Sequence, residues 1–309
     1  MKRRYLRIVL AGVIFLLALL LTLYPVISNL YNREHQSQIQ TVYQEVLEQT
    51  DAGELERVRS LAVAYNAAIV PGAVEETYSQ EALMVASEDY VNQLDLSESG
   101  IMGYVEIPQI GVDLPIYHGT STDSLDRGAG HLLGSSLPVG GESTHAIITG
   151  HSGMASQKMF TDLEQLRVGD VFYLRVLDET LAYQVEAIHT VLPYDTTYLG
   201  IEQGKDLCTL VTCTPTGVNT HRLLVRGTRI PYEQAVEVQE TASLYEEGTT
   251  TSHWEDQYWL GIQLGLVVMV CIALLFNMIL MVKKRGGRSS IAERKSRPRK
   301  RKGGRYVRK

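Results

Sequence analysis

Thr209-Leu210-Val211-Thr212-Cys213, continued through Thr214-Pro215-Thr216-Gly217-Val218-Asn219-Thr220-His221 to Arg222, reads as a strand, a turn and the start of a second strand. Thr, Leu and Val favour the pleated conformation. Pro215, Gly217 and Asn219 punctuate the turn, and Leu223-Leu224-Val225 resumes an apolar strand. A thiol thus ends one strand and a guanidinium opens the next. In that arrangement a thiolate can attack a carbonyl carbon while the guanidinium holds its oxygen.

Upstream the pattern is again that of strands. Gly103 to Pro108 alternates, and Val112 to Tyr117 follows after a turn at Gly111. Gly128 to Gly141 is Gly-rich and reads as a loop. Ala146-Ile147-Ile148-Thr149-Gly150-His151 reads as a short buried strand ending at a turn, and Lys158 to Leu166 has the spacing of a short helix. Val171 to Leu177 and Leu181 to Leu192 read as strands joined by a tight Asp178-Glu179 turn. There is no internal repeat. Many short strands with little helix predict a mainly β fold, a closed β-barrel with short helices rather than a βαβ architecture.

The flanks divide the rest of the chain. Residues 1–31 hold a basic end (Lys2, Arg3, Arg4, Arg7) and the uncharged apolar run Ile8 to Tyr24, which has no small-residue cleavage pattern and reads as an uncleaved signal anchor. Residues 32–100 are a helical lead-in, with Val42, Val46, Leu47, Leu55, Val58 and Leu61 at helical spacing, followed after Val70-Pro71-Gly72 by an acidic stretch that is a linker or a lid. Residues 101–232 are the barrel and 233–257 an acidic spacer. Residues 258–282 hold a second apolar run, Trp259 to Val282, long enough to span a membrane, with Trp254, Tyr258 and Trp259 where an interfacial aromatic belt lies. Residues 283–309 are a basic tail. Basic residues adjoin both runs on one side, which predicts two spans, both termini cytoplasmic and the acidic domain outside.

Charge limits the partners. The net charge of -6 conceals a partition: eleven basic residues stand against 34 acidic ones between the two basic ends. Phosphates repel such a domain, which excludes nucleic acid as its partner. The tail's position beside an apolar run favours anionic lipid over nucleic acid. Cys208, Cys213 and Cys271 form no disulfide framework. An odd separation points Cys208 and Cys213 to opposite faces of one strand, about 16 Å apart along it. No acidic cluster has a convincing metal-ligand spacing, and no cofactor or metal is expected.

A thiol acyl-transfer site also needs a proton donor for the leaving amine. Most lone cysteines are buried hydrophobes, and Cys208, deeper in the run, fits that role. Cys213 lies beside a Pro/Gly turn with Arg222 nearby, a setting that favours thiolate. Among His118, His131, His145, His151, His189 and His221, His151 is preferred because it follows a strand and Thr149-Gly150, and Ser152-Gly153 keeps its loop open. His118 is the runner-up. His221 flanks Arg222 and so points to the opposite face. Arg226 and Arg229 read as structural ion-pair partners in an acidic domain.

At these residues the sequence resembles the sortases. Thr209-Leu210-Val211-Thr212-Cys213 matches their TLxTC signature, Thr149-Gly150-His151 their TGH segment, and Arg222 lies nine residues after Cys213. The text around Gly103 to Pro108, Gly111 to Thr120 and Asn219 to Gly227 looks like class C, the pilin-polymerising sortases, and the similarity covers roughly Ile101 to Tyr232. The resemblance implies a sortase-like barrel and transpeptidation at a Gram-positive surface. Cys213 would cleave an LPxTG-like sorting signal between Thr and Gly and hold the product as a thioester. His151 would protonate the leaving amine, and Arg222 would hold substrate and oxyanion. The acceptor would be a pilin Lys, or a peptidoglycan amine for wall anchoring; a non-catalytic surface scaffold is the third reading. One departure concerns the lid: class C enzymes commonly carry a DP-aromatic motif, and Ala73 to Gly100 has none, so a degenerate lid plugged by Tyr78 or Met84 is the expectation there.

Overall fold

A computed structural model describes residues 2–69, 74, 87–96, 99–154, 157–245, 259–275 and 277–278. The described residues of Tyr24–Gln257 make one compact unit, and those of Met1–Leu23 with Tyr258–Lys309 a second.

Eight strands carry the larger unit: β1 (Ile101–Ile107), β2 (Val112–His118), β3 (Ala129–His131), β4 (Thr144–Thr149), β5 (Val171–Val176), β6 (Glu179–Val191), β7 (Asp206–Thr214) and β8 (His221–Ile230). They close in the order β1-β2-β3-β4-β7-β8-β6-β5, and β5 pairs back onto β1. Closure brings the backbones very near one another at Gly103, where a Cβ would stand 2.4 Å from the Arg175 carbonyl oxygen; only glycine fits. The pairs β2–β3 and β4–β7 are parallel, so each needs a crossover connection. The other neighbours are antiparallel.

The helices are α1 (Lys2–Gln49), α2 (Ala52–Ala68), α3 (Glu88–Val91), α4 (Thr122–Arg127), α5 (Tyr232–Tyr245) and α6 (259–275). α2 begins where Asp51 accepts a hydrogen bond from the Gly53 N–H, an N-cap. It buries Leu55, Val58 and Ala62 in the same core as the inward residues of the barrel, among them Val105, Ile116, Ile148, Leu174, Leu210 and Val225. Each buried Val, Leu or Ile side chain among them contributes about 1.5–3 kcal/mol of burial. Near the end of α2, Asn66 is buried and bonds Leu137 twice: its Nδ2 donates to the Leu137 carbonyl (3.1 Å), and its Oδ1 accepts from the Leu137 N–H (2.7 Å). The amide thereby satisfies an irregular segment as a neighbouring strand would. The later part of α1 sets Tyr43 and Ile39 against Ile101, Tyr104 and Tyr117.

The barrel and the helical lead-in agree with the sequence reading, and several elements differ. The Gly-rich stretch 128–141, read as loop, contains β3, which pairs with β2 and β4 through few residues. The helix expected over Lys158 to Leu166 is a 3-10 turn at Thr161–Gln165. The β5–β6 turn is Leu177-Asp178, one residue earlier than expected, since Val176 pairs with Glu179 and Leu177 takes a positive φ of 53°. The acidic spacer begins as α5, because Ala235 and Val238 pack against Val171, Tyr173, Ala182 and Ile230. Among the described residues no helix is long and apolar enough to cross a membrane. The two expected spans are therefore not established by the fold; several side chains within Ile8–Tyr24, and residues 279–282, lie outside the described set.

Candidate active site

Strand register positions the site. In the β7–β8 ladder Cys213 is paired with Arg222, Val211 with Leu224 and Thr209 with Arg226. Directly paired residues share a face, so Cys213 and Arg222 project on the side that carries Val211 and Leu224. That side lies outside the barrel, since Cys208 and Leu210 belong to the interior core whereas Val211 and Leu224 cluster with Leu132, Ile147, Val191 and Leu199. Cys208 and Cys213 therefore face opposite ways, as their odd spacing requires. Burial pushes the Cys208 thiol well above its ordinary value, which leaves it unreactive. Cys213 is half-buried and in no disulfide.

β4 delivers the histidine. It runs parallel to β7, with Ile147 opposite Thr209 and Thr149 opposite Val211. Beyond the last paired rung the contact continues: the Gly150 N–H donates to the Val211 carbonyl (3.0 Å), and Thr212 Oγ1 donates to the Gly150 carbonyl (2.7 Å). The strand thus carries His151 to the level of Cys213. Gly150 must lack a side chain, because a Cβ would stand 2.6 Å from the Phe160 ring. The Phe160 N–H closes the loop by donating to the His151 carbonyl (3.0 Å). A hydroxyl pair, Ser152 Oγ and Thr216 Oγ1 at 3.1 Å, ties the histidine loop to the turn between Cys213 and Arg222. Arg222 Nη1 donates to the carbonyls of His221 (3.1 Å) and Asn219 (3.3 Å). These bonds leave most of the guanidinium's five N–H donors for a ligand.

The remaining sequence candidates are committed elsewhere. Nδ1 and Nε2 of His118 lie 3.0 and 2.7 Å from the carbonyl oxygens of Gly100 and Gln93, which clasps the segment leading into β1. His131 is fully buried between the Tyr90 hydroxyl (2.9 Å) and the Ser136 carbonyl (2.8 Å). His145 sits between Thr209 Oγ1 and the Gly200 carbonyl, and His189 stacks on Tyr198. His221 contacts Thr220. Arg226 pairs with Glu186 and Glu202, and Arg229 lies over the Tyr183 ring. The arrangement brings together Cys213, His151 and Arg222 and none of the others.

Two features escape a reading of the sequence. Asp126 in α4 has Oδ1 3.6 Å from His151 Nε2; one acid among 35 carries no local mark of that proximity. Val74, the only described residue between positions 70 and 86, is buried in the outer apolar cluster with Val211 and Leu224. Tyr78 and Met84, the expected lid plugs, lie outside the described residues. Among the described residues no group of three or more His, Cys, Asp or Glu side chains could hold a metal ion.

A family model described as Sortase domain matches residues 105–230. The chain is 31% identical to Sortase A of Staphylococcus aureus over 146 residues, which is 45% of this chain and 69% of that protein. It is 29% identical over 131 residues to Sortase D of Bacillus subtilis, covering 63% of that protein. Among solved structures, Sortase C of Streptococcus pneumoniae is 45% identical with a TM-score of 0.58, over 63% of this chain and 97% of that one. A pilus-related Sortase C of Group B Streptococcus is 42% identical with a TM-score of 0.57, over 62% of this chain and 96% of that one.

Proposed function

Since the chain belongs to the sortase family of cysteine transpeptidases, we propose that Cys213, His151 and Arg222 are its reacting centre and that it builds covalent pili. Its substrates are proteins with an LPxTG-like sorting signal. The Cys213 thiolate attacks the Thr carbonyl carbon, and Arg222 holds the oxygen as it gains charge. His151, as imidazolium, gives its proton to the departing Gly amine. The C–N bond breaks, leaving the acyl group on sulfur. A pilin Lys amine then gives a proton to His151 and attacks the thioester, and Cys213 leaves as thiolate.

The observation that carries this reading is the register: Cys213 paired with Arg222, and the Thr149-Gly150-His151 strand held parallel beside them. Support for the pilin class comes from neighbours at 42–45% identity that are named as sortase C. The enzyme is one of the cell envelope. Two flanking segments anchor it and leave the barrel outside. Support for the anchoring comes from exposed apolar side chains, among them Leu10, Val13, Ile14, Leu17 and Leu20 near one end and Leu264, Val267, Val270 and Leu274 near the other, which soluble surfaces rarely gather. A degenerate lid without a DP-aromatic motif guards the site, and its support is Val74, buried in the outer apolar cluster with Val211.

The test is polymerisation. Full-length protein in a membrane mimetic, given a pilin with an LPxTG-like signal, forms ladders of covalent polymer that disappear when the acceptor Lys is replaced. A product joined only to a peptidoglycan amine would instead make it a wall-anchoring enzyme.

A further inference from the structure

We infer that Asp126 is a positioning residue for His151, holding the ring aimed at the leaving amine. The inference rests on the reading of His151 as the proton donor.

α4 is built to present this carboxylate. Ser121 caps the helix by accepting from the Ser124 N–H. Arg127, the next residue along, is turned away by its bond to Asp123 (2.8 Å) and by its stacking over the Tyr117 ring, 4.2 Å from the centroid. Gln157, on the histidine's own loop, donates from Nε2 to the Asp126 carbonyl (2.9 Å) and so fixes the helix end against that loop. Asp126 Oδ1 then stands 3.6 Å from His151 Nε2. That separation is an ion-pair contact and too long for a hydrogen bond.

The other charged groups nearby are already paired or belong to the reacting centre. Lys158 bonds the Ile110 carbonyl and Asp162, Glu164 takes the Thr214 hydroxyl, and Cys213 and Arg222 lie on the adjoining strands. Asp126 is the carboxylate in contact with the ring. The pair is accessible, with side-chain exposures of 34% for His151 and 55% for Asp126, so it adds little to stability. Its effect falls on the direction of His151 during acylation.

The experiment follows thioester formation on Cys213 in the full-length protein in a membrane mimetic, with a sorting-signal peptide and no amine acceptor, across pH. Asp126→Asn is expected to slow acylation about tenfold with little change in KM, since a positioned acid contributes about 10²–10⁴-fold and only part of that is lost. Asp126→Glu restores most of the rate. In a His151→Gln background, Asp126→Asn adds nothing. Acylation by Asp126→Asn at the wild-type rate, with His151→Gln slow, overturns this inference alone. A loss confined to the amine-dependent step also overturns it, because Asp126 would then serve the acceptor. Wild-type acylation by His151→Gln overturns the proton-donor reading together with the inference.

Discussion

Cys213 and Arg222 occupy a single rung of the antiparallel ladder between β7 and β8, with both side chains on the outer face of the barrel. The nine-residue separation in sequence becomes direct adjacency because the turn at 215–220 reverses the chain. In the proposed mechanism this adjacency lets Arg222 meet the charge that develops on the carbonyl oxygen during attack by Cys213. Arg222→Ala should lower kcat by about 10²–10³, as loss of an oxyanion donor does. Arg222→Lys should recover little, since a point charge does not reproduce the planar fork. Equal acylation rates in wild type and Arg222→Ala would remove the guanidinium from the reaction.

Val74 belongs to the same outer apolar cluster as Val211, which lies two residues before Cys213 and on the same face. The Val74 side chain is thus buried on the face of the barrel that carries the thiol. Val74→Asp places a charge in that apolar cluster and should displace the side chain from it. Alkylation of Cys213 should then quicken several-fold with global stability little changed, measured by mass spectrometry against time. An unchanged alkylation rate would contradict a lid at this position.

Two buried histidines set the acid limit of stability. Burial pushes His131 from 6.5 down to about 4, and His145 is also lowered, chiefly by burial. The unfolded chain therefore takes up protons at a pH where the folded chain keeps these rings neutral. The stability they confer is complete above the unfolded value and is lost as pH falls through the window from about 6.5 to about 4. The thermal midpoint should decline across that window. His131→Asn should flatten the decline, although its midpoint at neutral pH will be lower because the bonds to Tyr90 and Ser136 change. An identical slope in the variant would show that His131 does not set the limit.

Asn66 holds α2 to the barrel by bonding both backbone groups of Leu137. Asn66→Ala leaves a buried N–H and C=O without partners, which costs about 2 kcal/mol or more. The thermal midpoint should fall by roughly 4–8 °C for a domain of this size. Asn66→Asp should be nearly as harmful, because it keeps the acceptor and loses the donor. A midpoint within error of wild type would mean that water replaces the amide.

Short apolar runs bounded by turn residues made most of the barrel legible in the sequence, since β1, β2 and β5 are buried along nearly their whole length. β3 was not legible, because Ala129-Gly130-His131 is too short to show a period and is formed by its neighbours. α5 was taken for a spacer because its acidic residues outnumber the few, Ala235 and Val238, that touch the barrel. In the site, Cys213 and Arg222 announced themselves by lying across one turn, and His151 by ending a strand. Asp126 could not, since its contact with His151 spans 25 positions of sequence and the two strands β3 and β4.

The central claim is that Cys213 carries the acyl group. It is tested most directly by mass spectrometry of the full-length protein after reaction with an LPxTG-like peptide. The account predicts one adduct of the peptide cleaved after Thr, mapped to Cys213, discharged by an added amine and missing from Cys213→Ala. An adduct that persists in Cys213→Ala, or that maps to Cys208 or Cys271, would contradict it.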